Sequence, residues 1–536
     1  MSKSQSAVTT LDALVVGAGI SGIYQLYTLN QRGVDVRMIE AGTGVGGVWF
    51  WNRYPGARFD SESYTYGYFF SPELIEEWDW SEEYAGQPET ERYLNHVVDR
   101  FDLRRLITFE QRVVSAEWDS EAERWTVTTS SGDVWKPRHL VTALGILSAP
   151  AFPSAPGLED FRGEWAHTGL WPDEGIDFTG KKVAVIGTGS SGVQIVPLVA
   201  KDAEQLVVFQ RSPNWCTPIN NFAITPERMA DIRSRIGEIW DATQLSPSGS
   251  MHRPIMESSL EMEADQRRSH FDRLYDSPGL IMALGNFRDV ALDKRANDNV
   301  TAYIAERIRA RVHDPELAER LIPKDHGFGQ KRPPLENGYY EVFNEPHVSL
   351  VSTGEEPIVR FTETGIETVH GHYDLDAIVF ATGFEAVVGS YNRIDIRGRD
   401  GLALRDHWEA GPRTYLGLTV AGFPNLFLVG GPQSVTGVIP RATDFQADWV
   451  AATVAGMQER GETVVEPTGA AEDEWIDHVN AGILGTMQET AESWAFGSNV
   501  PGRKRAYLLY AGGLPQYRER VKAATDDGYR GFKFSS

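Results

Sequence analysis

One glycine pattern occurs twice in this chain, and it limits the possible fold more than any other feature of the sequence. Residues 17–22 (GAGISG) and 187–192 (GTGSSG) both have the spacing G-x-G-x-x-G, and their first glycines, at 17 and 187, lie 170 positions apart. Each pattern follows a short, β-branched apolar run and precedes a segment whose apolar residues recur at helical spacing. A second apolar run follows within about thirty residues, so each region predicts a β-α-β unit.

The three glycines of such a pattern serve three separate purposes. The first allows a tight turn, the second lets a pyrophosphate approach the backbone, and the third lets the helix pack closely on the strand. The amino end of the helix then faces the phosphate charge. The predicted dinucleotide ligands are Gly17, Gly19 and Gly22 in the first unit, and Gly187, Thr188, Gly189, Ser190 and Gly192 in the second.

The residue at the end of the second strand differs between the two units and predicts two different cofactors. Glu40 lies 18 positions after Gly22, where a carboxylate can accept hydrogen bonds from ribose hydroxyls. Arg211 lies 19 positions after Gly192, where a guanidinium can bind a 2′-phosphate bidentately. The first unit is therefore predicted to bind FAD and the second NADPH, and two dinucleotides in one chain indicate electron transfer between them.

A glycine-rich loop soon after Glu40 favours a bulky, planar cofactor in the first unit. Residues 44–51 read GVGGVWFW, and two tryptophans beside several glycines are unusual in a plain surface turn. We expect Gly47 to allow close approach of the flavin and Trp49 to lie against it. The other interpretation is that Trp49 fills the core.

The order of the apolar runs predicts an α/β protein with two Rossmann-like dinucleotide-binding domains, one for FAD and one for NADP. Residues 224–330 are rich in Glu, Arg, Ala, Ile and Leu and predict a helical insertion in the NADP domain. The predicted layout is 1–150 for the first part of the FAD domain, 151–223 for the first part of the NADP domain, 224–330 for the insertion, 331–380 for the second part of the NADP domain, and 381–536 for the second part of the FAD domain with a C-terminal lid region.

Composition excludes several classes of function. The chain has 51 Lys and Arg against 75 Asp and Glu, a net charge of −24, so neither nucleic acid nor an anionic membrane is an expected partner. The single cysteine, Cys216, excludes a redox dithiol and a multi-cysteine zinc site, and we predict no bound metal. The first apolar run leads into the glycine pattern at 17–22, so we interpret it as mature structure rather than a signal peptide and predict a cytoplasmic protein.

A longer motif lies just before the second glycine pattern, where residues 161–172 read FRGEWAHTGLWP. Its restricted positions are Phe161, Gly163, His167, Trp171 and Pro172. They match the signature motif of the Baeyer–Villiger monooxygenases, so the sequence resembles this family of flavoproteins, which insert an oxygen atom beside a ketone carbonyl. The resemblance covers nearly the whole chain and includes the segments 46–58, 331–333 and 493–502.

The resemblance implies a reaction and a set of site residues. NADPH reduces FAD, the reduced flavin adds O2 as a C4a-peroxide, and this peroxide attacks a ketone, expected to be cyclic, to give an ester or lactone. By resemblance, Arg332 is the catalytic residue that stabilises the peroxide anion, and Asp60 orients Arg332. Lys331 is implied as a ligand of the NADPH 2′-phosphate, Trp494 as a lid residue that packs over NADP, and His167 as a residue that couples the domains.

Three other functions fit part of this pattern. An N- or S-oxygenating flavin monooxygenase would share both nucleotide sites, but Trp171, Pro172, Asp60 and Arg332 argue against it. A disulfide reductase would need a cysteine pair, which the sequence lacks. A non-catalytic NADP(H)-sensing flavoprotein is the remaining alternative. The expected partners are a small-molecule ketone and O2, and the chain is expected to be a monomer or a weak homo-oligomer.

Overall fold

The computed structural model of the protein describes residues 8–500 and 502–536. Residues 1–7 and Pro501 lie outside the described residues, so the start of the predicted first domain and one position of the segment 493–502 are not described. The strands are β1 (Val8–Val16), β2 (Val36–Ile39), β3 (Ile107–Thr108), β4 (Val113–Asp119), β5 (Arg124–Thr129), β6 (Val134–Thr142), β7 (Glu164–His167), β8 (Lys182–Ile186), β9 (Gln205–Gln210), β10 (Thr217–Pro218), β11 (Leu335–Glu336), β12 (Val348–Ser352), β13 (Ile358–Thr362), β14 (Gly365–Thr368), β15 (His372–Asp374), β16 (Ala377–Phe380), β17 (Asp395–Arg397), β18 (Leu426–Leu428), β19 (Val464–Pro467) and β20 (Phe532–Ser535).

The α-helices follow the same chain order, and short 3-10 turns occur between them. They are α1 (Ile20–Gln31), α2 (Val48–Trp51), α3 (Ser63–Tyr66), α4 (Pro72–Glu77), α5 (Gln87–Arg100), α6 (Ser190–Asp202), α7 (Pro226–Ser234), α8 (Ile236–Leu245), α9 (Ala264–Asp276), α10 (Ile281–Leu284), α11 (Lys294–Arg311), α12 (Pro315–Leu321), α13 (Leu404–His407), α14 (Ile439–Arg460), α15 (Gly469–Ala481) and α16 (Gly513–Asp526).

The first glycine pattern belongs to a mixed eight-stranded sheet. Its strands follow the order β17-β4-β5-β6-β1-β2-β3, and β18 also pairs with β6. The strand β1 is parallel to both β2 and β6, as the predicted β-α-β unit requires. The central strand β1 is buried along its carboxyl half because its apolar residues face layers on both sides of the sheet. Strands from the N-terminal and C-terminal parts of the chain therefore form one sheet.

The second glycine pattern belongs to a five-stranded, fully parallel sheet of order β12-β9-β8-β16-β7. The strand β8 ends at the pattern, and α6 begins inside it. The two Rossmann-like units and the mixed α/β class are thus as the sequence predicts. The largest buried apolar cluster lies around the first sheet, and a second one joins the other sheet to the insertion.

The segment 224–330 is mostly helical and contains α7 to α12. The apolar residues of α9 to α12 pack into the same cluster as the second sheet, whereas Met229, Ile232 and Ile239 of α7 and α8 pack into the cluster around the first sheet. The segment therefore covers both units rather than forming a separate core. Among residues 8–500 and 502–536, we find no helix that is both long and apolar enough to cross a bilayer.

Candidate active site between the two nucleotide-binding units

The first glycine turn is closely packed. Gly17 has φ 104°, which favours glycine, and a Cβ on it would lie 2.7 Å from the carbonyl oxygen of Ala143. A Cβ on Gly22 would lie 1.9 Å from the carbonyl oxygen of Gly17. The loop after Glu40 folds back onto this turn, because a Cβ on Gly47, at φ 57°, would lie only 2.7 Å from the Cα of Gly19. These positions require glycine for the backbone to pass.

Glu40 is buried beside the same turn. One carboxylate oxygen accepts a hydrogen bond from the backbone N–H of Ala18 at 2.7 Å, and the other accepts one from Gly42 at 2.8 Å. A carboxylate oxygen can accept more than one hydrogen bond, so Glu40 can hold the turn and still bind ribose hydroxyls. This placement fits the predicted role without testing it.

The second glycine turn has the same backbone shape but an open centre. A Cβ on Gly187 would lie 2.3 Å from the carbonyl oxygen of Ala381, and one on Gly192 would lie 2.1 Å from that of Gly187. A Cβ on Gly189, in contrast, would meet nothing within 4 Å. The Thr188 hydroxyl donates a hydrogen bond to the carbonyl of Ser212 at 3.1 Å and so holds the turn in place.

Both helices that start at these turns can receive a phosphate. Within the described part of the chain, no side chain caps the first turn of α1 or of α6, so their first N–H groups are available to a ligand. Ser190 is the first residue of α6. Arg211 follows β9 and is exposed, and its guanidinium has no hydrogen-bond or ion-pair partner among the residues described. The residues present therefore fit two dinucleotides.

Asp60 and Arg332, which are 272 positions apart, form an ion pair. The Nη2 of Arg332 donates to Oδ2 of Asp60 at 2.8 Å, and its Nε donates to the same oxygen at 3.3 Å. The Asp60 side chain is 17% exposed and that of Arg332 is 46% exposed. The pair is thus partly sheltered, with the guanidinium still open on one side.

Lys331 pairs with a different carboxylate from its neighbour. Its Nζ lies 3.1 Å from Oδ2 of Asp325, and its side chain is 21% exposed. The two cations therefore face different partners, as the extended backbone predicts for adjacent residues. Asp325 does not belong to the residues that the sequence singled out.

Trp49 connects the glycine loop to Tyr66. It is buried, and its indole N–H donates to the hydroxyl of Tyr66 at 2.9 Å. Burial raises the pKa of Tyr66, and the charges of Asp60 and Arg332 act on it from close by. Trp49 therefore contributes to the core, as the alternative interpretation predicts, and its indole N–H contacts a tyrosine that is influenced by the ion pair.

His167 lies where the chain crosses between the units. Segments around 151 and 383 run antiparallel there, and the N–H of Ala151 donates to the carbonyl of Gly383 at 3.0 Å. Nδ1 of His167 accepts the N–H of Gly169 at 2.9 Å, so Nε2 carries the proton and donates to Gly383 at 3.0 Å. Burial lowers the pKa of His167 to about 4, so it is neutral near pH 7.

The rest of the motif is structural in its contacts. Phe161 is buried in the core of the second sheet, and a Cβ on Gly163 would lie 2.4 Å from the carbonyl of Asp376. Trp171 is buried, and its backbone N–H donates to the backbone carbonyl of Trp51 in the glycine loop at 3.2 Å. Pro172 is half-buried beside it. The contact of Trp171 with Trp51 joins the two units, whereas the contacts of Phe161 and Gly163 lie within the second one.

Trp494 begins a 3-10 turn, Trp494–Phe496, and is half-buried. The guanidinium of Arg505 lies 3.9 Å from the Phe496 ring centroid and holds this turn. The preceding segment reaches the other unit, because Gln330 donates to the carbonyl of Met487. Whether Trp494 packs over NADP stays a prediction.

Sequence reasoning missed a second link between the units. The hydroxyl of Tyr54 donates to Oε1 of Gln194 on α6 at 2.6 Å, and Nε2 of Gln194 donates to the carbonyl of Arg58 at 3.1 Å. Two polar residues in unrelated segments give no local signal, so only the folded structure brings them together. Within residues 8–500 and 502–536, no cluster of three or more His, Cys, Asp or Glu side chains is arranged to hold a metal ion.

Comparison with known proteins decides the family. A family model described as pyridine nucleotide-disulphide oxidoreductase matches residues 14–254. The 2-oxo-Δ3-4,5,5-trimethylcyclopentenylacetyl-CoA monooxygenase of Pseudomonas putida is 42% identical over 98% of each chain. The acetone monooxygenase (methyl acetate-forming) of Gordonia sp. strain TY-5 is 40% identical over 99% of this chain and all of the relative.

The chain belongs to the Baeyer–Villiger monooxygenase family.

Membership of the Baeyer–Villiger monooxygenases confirms the family that the motif predicts. A crystal structure of OTEMO in complex with FAD and NADP has a TM-score of 0.95 at 43% identity, covering 98% of this chain and 99% of that one. A closed crystal structure of cyclohexanone monooxygenase has a TM-score of 0.96 at 40% identity, covering 99% and 100%. A third relative, phenazine N-monooxygenase PhzNO1 of Lysobacter antibioticus, is 40% identical over 98% of this chain and 97% of its own length.

Proposed function

We propose that this Baeyer–Villiger monooxygenase uses NADPH, FAD and O2 to convert ketones, cyclic ones in particular, into esters or lactones. The site fits both cofactors. The amino ends of α1 and α6 are not capped by side chains and can each face a pyrophosphate. Glu40 in the first unit and Arg211 in the second lie where the two dinucleotides would be distinguished. Bound FAD would supply the reduction and the activation of O2. The protein must then bind the ketone, hold charge and exclude water.

The Asp60–Arg332 ion pair is the observation that carries the proposal. Oxygen transfer to a ketone develops negative charge on oxygen, and a fixed guanidinium stabilises such charge without losing its own proton. Asp60 accepts from both Nε and Nη2 of Arg332, so it fixes the plane of the guanidinium. Tyr66, which accepts a hydrogen bond from Trp49 in the loop that would hold the flavin, is influenced by the charges of this pair. We therefore assign Arg332 as the catalytic residue and Asp60 as the residue that orients it.

The test measures NADPH-dependent O2 consumption by the purified, FAD-loaded protein with a panel of cyclic and linear ketones. We expect product masses that exceed the ketone by one oxygen atom, together with about one NADPH consumed per product molecule. Steady NADPH oxidation with no ketone-derived product on any member of the panel would contradict the proposal.

N- or S-oxygenation is the second candidate, and the likeness to a phenazine N-monooxygenase favours testing it. A thioether and an aromatic N-heterocycle added to the same panel separate the two activities. Faster turnover on these compounds than on every ketone would favour the second candidate. Binding of NADPH with no O2 consumption at all would favour a sensing protein.

The remaining assignments belong to the same proposal. Lys331, Arg211 and the second glycine turn are assigned to NADPH, and Trp494 to the lid over it. We expect a monomer or weak homo-oligomer in the cytoplasm, where NADPH is supplied. Light scattering and cell fractionation test these two expectations.

A further inference from the structure

The segment 325–332 joins two residues with separate assigned tasks. Lys331 is assigned to the NADPH 2′-phosphate, and Arg332 is assigned to the reacting oxygen. Lys331 pairs with Asp325 at the start of this segment, at 3.1 Å, whereas Arg332 reaches across to Asp60 at 2.8 Å. A change in the partner of Lys331 therefore occurs one peptide bond away from the backbone of Arg332, the residue that carries the catalytic guanidinium.

A chain of side-chain contacts connects the two residues by a second route. Nδ1 of His326 lies 2.7 Å from Oδ1 of Asp325, and its Nε2 lies 3.3 Å from Oδ1 of Asn214. Nδ2 of Asn214 donates to the backbone carbonyl of Arg332 at 3.0 Å. Since Lys331 and Arg332 are neighbours, these contacts close a ring.

The inner half of this ring is held rigidly. The His326 side chain is only 4% exposed, and its backbone carbonyl accepts the indole N–H of Trp215 at 2.9 Å. The backbone N–H of Trp215 donates to Oδ1 of Asn214, also at 2.9 Å. The Asn214 amide is therefore fixed, with its oxygen toward Trp215 and its nitrogen toward the Arg332 carbonyl.

The outer half of the ring is open to a ligand. The Asp325 side chain is 55% exposed, and Lys331 is the only cation that it contacts within the described residues, apart from His326. A phosphate has more charge and more acceptor oxygens than a carboxylate, so it can draw Lys331 away from Asp325. The charge of Asp325 would then act on His326 alone.

The electrostatics of His326 agree with this sensitivity. Burial lowers the pKa of His326, the hydrogen bond to Asp325 raises it, and the charge of Lys331 lowers it. Departure of Lys331 to a phosphate raises the pKa of His326, because it removes a nearby positive charge and leaves Asp325 to hold Nδ1–H. A protonated His326 also has an N–H on Nε2, which the Asn214 oxygen can accept, so the ring can pass the change to the Asn214 amide.

We propose that Asp325, His326 and Asn214 are positioning residues that transmit occupancy of the 2′-phosphate site to the backbone of Arg332. The proposal rests on the proposed function, because it takes Lys331 as the phosphate ligand and Arg332 as the catalytic residue. NADPH would thereby place Arg332 for oxygen transfer, whereas a dinucleotide without the 2′-phosphate would leave the Lys331–Asp325 pair intact.

The first experiment compares the binding of 2′,5′-ADP with that of 5′-AMP to the full-length, FAD-loaded protein. Calorimetry gives the affinity, and hydrogen exchange follows peptides that cover 214–219 and 330–336, whose backbones bond to each other at Thr217 and Ile219. We expect 2′,5′-ADP, but not 5′-AMP, to slow exchange in both peptides of the parent.

The variants are Asp325→Asn and His326→Gln, with His370→Gln as the matched control, because His370 is exposed in the turn between β14 and β15. Asp325→Asn should bind 2′,5′-ADP at least as tightly as the parent, since Lys331 loses its competing partner, yet the slowing should disappear. His326→Gln should lose the slowing but still bind 2′,5′-ADP, because His326 does not contact Lys331. The control should respond like the parent.

A second readout is the amount of oxygenated product formed per NADPH consumed. Asp325→Asn and His326→Gln should lower this ratio, while His370→Gln should leave it unchanged. Parent-like exchange and product ratio in Asp325→Asn would overturn the proposal even if His326→Gln failed to fold. A parent that neither binds 2′,5′-ADP nor forms product would instead refute the proposed function.

Discussion

The two glycine turns have the same sequence pattern, but they differ in what surrounds the second glycine. In the first unit, a Cβ on Gly19 would lie 3.4 Å from the Cα of Gly47, because the loop 44–51 covers the turn. In the second unit, a Cβ on Gly189 would meet nothing within 4 Å, and the residue is exposed. A ligand in the first turn would be enclosed by a second loop, whereas one in the second turn is reached from solvent.

The residues that follow the second strand of each β-α-β unit, Glu40 after β2 and Arg211 after β9, differ in the same way. Glu40 is buried and already bonded to two backbone N–H groups. Arg211 is exposed and has no partner in the part of the chain that the structure describes. The comparison shows that one local pattern can build both an enclosed site and one that is open to solvent.

The largest expected effect concerns the ion pair that joins the two units. Arg332→Ala should lower ester or lactone formation by about 10²–10³, the usual cost of losing one such electrostatic donor. Flavin reduction by NADPH should persist under anaerobic conditions, and in air the variant should release hydrogen peroxide instead of product. Product analysis measures the loss of ester or lactone, and a peroxide assay on the same reactions measures the release of hydrogen peroxide.

Asp60→Ala should also lower ester or lactone formation, because Arg332 would lose the carboxylate that fixes the plane of its guanidinium. Arg360→Ala is the matched control, since Arg360 pairs with Glu367 on an exposed hairpin of the second unit. All three variants must retain FAD and melt near the parent temperature. Near-parental product formation by Arg332→Ala would show that the arginine is not catalytic.

The next effect separates the two cofactor sites. Arg211→Ala should raise the KM for NADPH by about one to two decades and leave that for NADH nearly unchanged, because a charge-assisted contact contributes roughly 1.5–3 kcal/mol. Glu40→Gln is the reciprocal variant and should weaken FAD binding without changing the preference for NADPH over NADH. If Arg211→Ala changed both KM values equally, the 2′-phosphate assignment would be wrong.

A third effect is a pH dependence at the crossing between the units. The pKa of His167 is lowered by burial to about 4, from an ordinary value near 6.5, so the unfolded chain binds the proton more readily. Stability should therefore fall as the pH drops from 6.5 toward 4, by about 2 kcal/mol at pH 5.

Denaturant unfolding of the parent and of His167→Gln between pH 7 and pH 5 measures this contribution. The difference in unfolding free energy between the two proteins should shrink as the pH falls, because only the unfolded parent is stabilised by protonation of His167. His139, which burial also leaves with a lowered pKa, is common to both proteins and cancels in the comparison. A difference that stays constant with pH would refute the buried, neutral histidine.

The smallest expected effect tests the open turn. Gly189→Ala should fold and keep FAD, with a stability change below about 1 kcal/mol, because its φ of −81° suits alanine and its Cβ has free space. The KM for NADPH should rise roughly fivefold, equivalent to about 1 kcal/mol, because the methyl group occupies space that the pyrophosphate needs. Gly237→Ala on α8, also with free space, should leave that KM unchanged.

Local sequence patterns predicted the elements of the fold well. The apolar run before the first glycine pattern is β1 (Val8–Val16), and the helical composition of 224–330 corresponds to α7 to α12. The pairing of β18 with β6 cannot be predicted from the sequence, because pairing between segments so far apart in the chain leaves no local periodicity. Tertiary pairing, rather than propensity, decides such contacts.

The site was predicted only in part. The glycine patterns, Glu40 and Arg211 follow from spacing and charge, whereas the roles of Asp60 and Arg332 came from the family resemblance alone. Asn214, Asp325 and His326 are isolated polar residues in loops, which look like ordinary surface positions in a sequence. Their ring exists only when the segments after β9 and after α12 meet.

The pairing of β18 with β6 has a consequence for how the ribosome delivers this chain. All strands of the five-stranded sheet have been synthesised by Phe380. The last three residues of β6 pair with β1 on one side, but their partner on the other side begins only at Leu426, about 284 residues beyond Thr142. At ordinary rates of translation this interval lasts roughly 15–60 seconds. The unit whose synthesis starts first is therefore the last to be completed, and the nascent chain must keep an apolar strand edge from aggregating in the meantime.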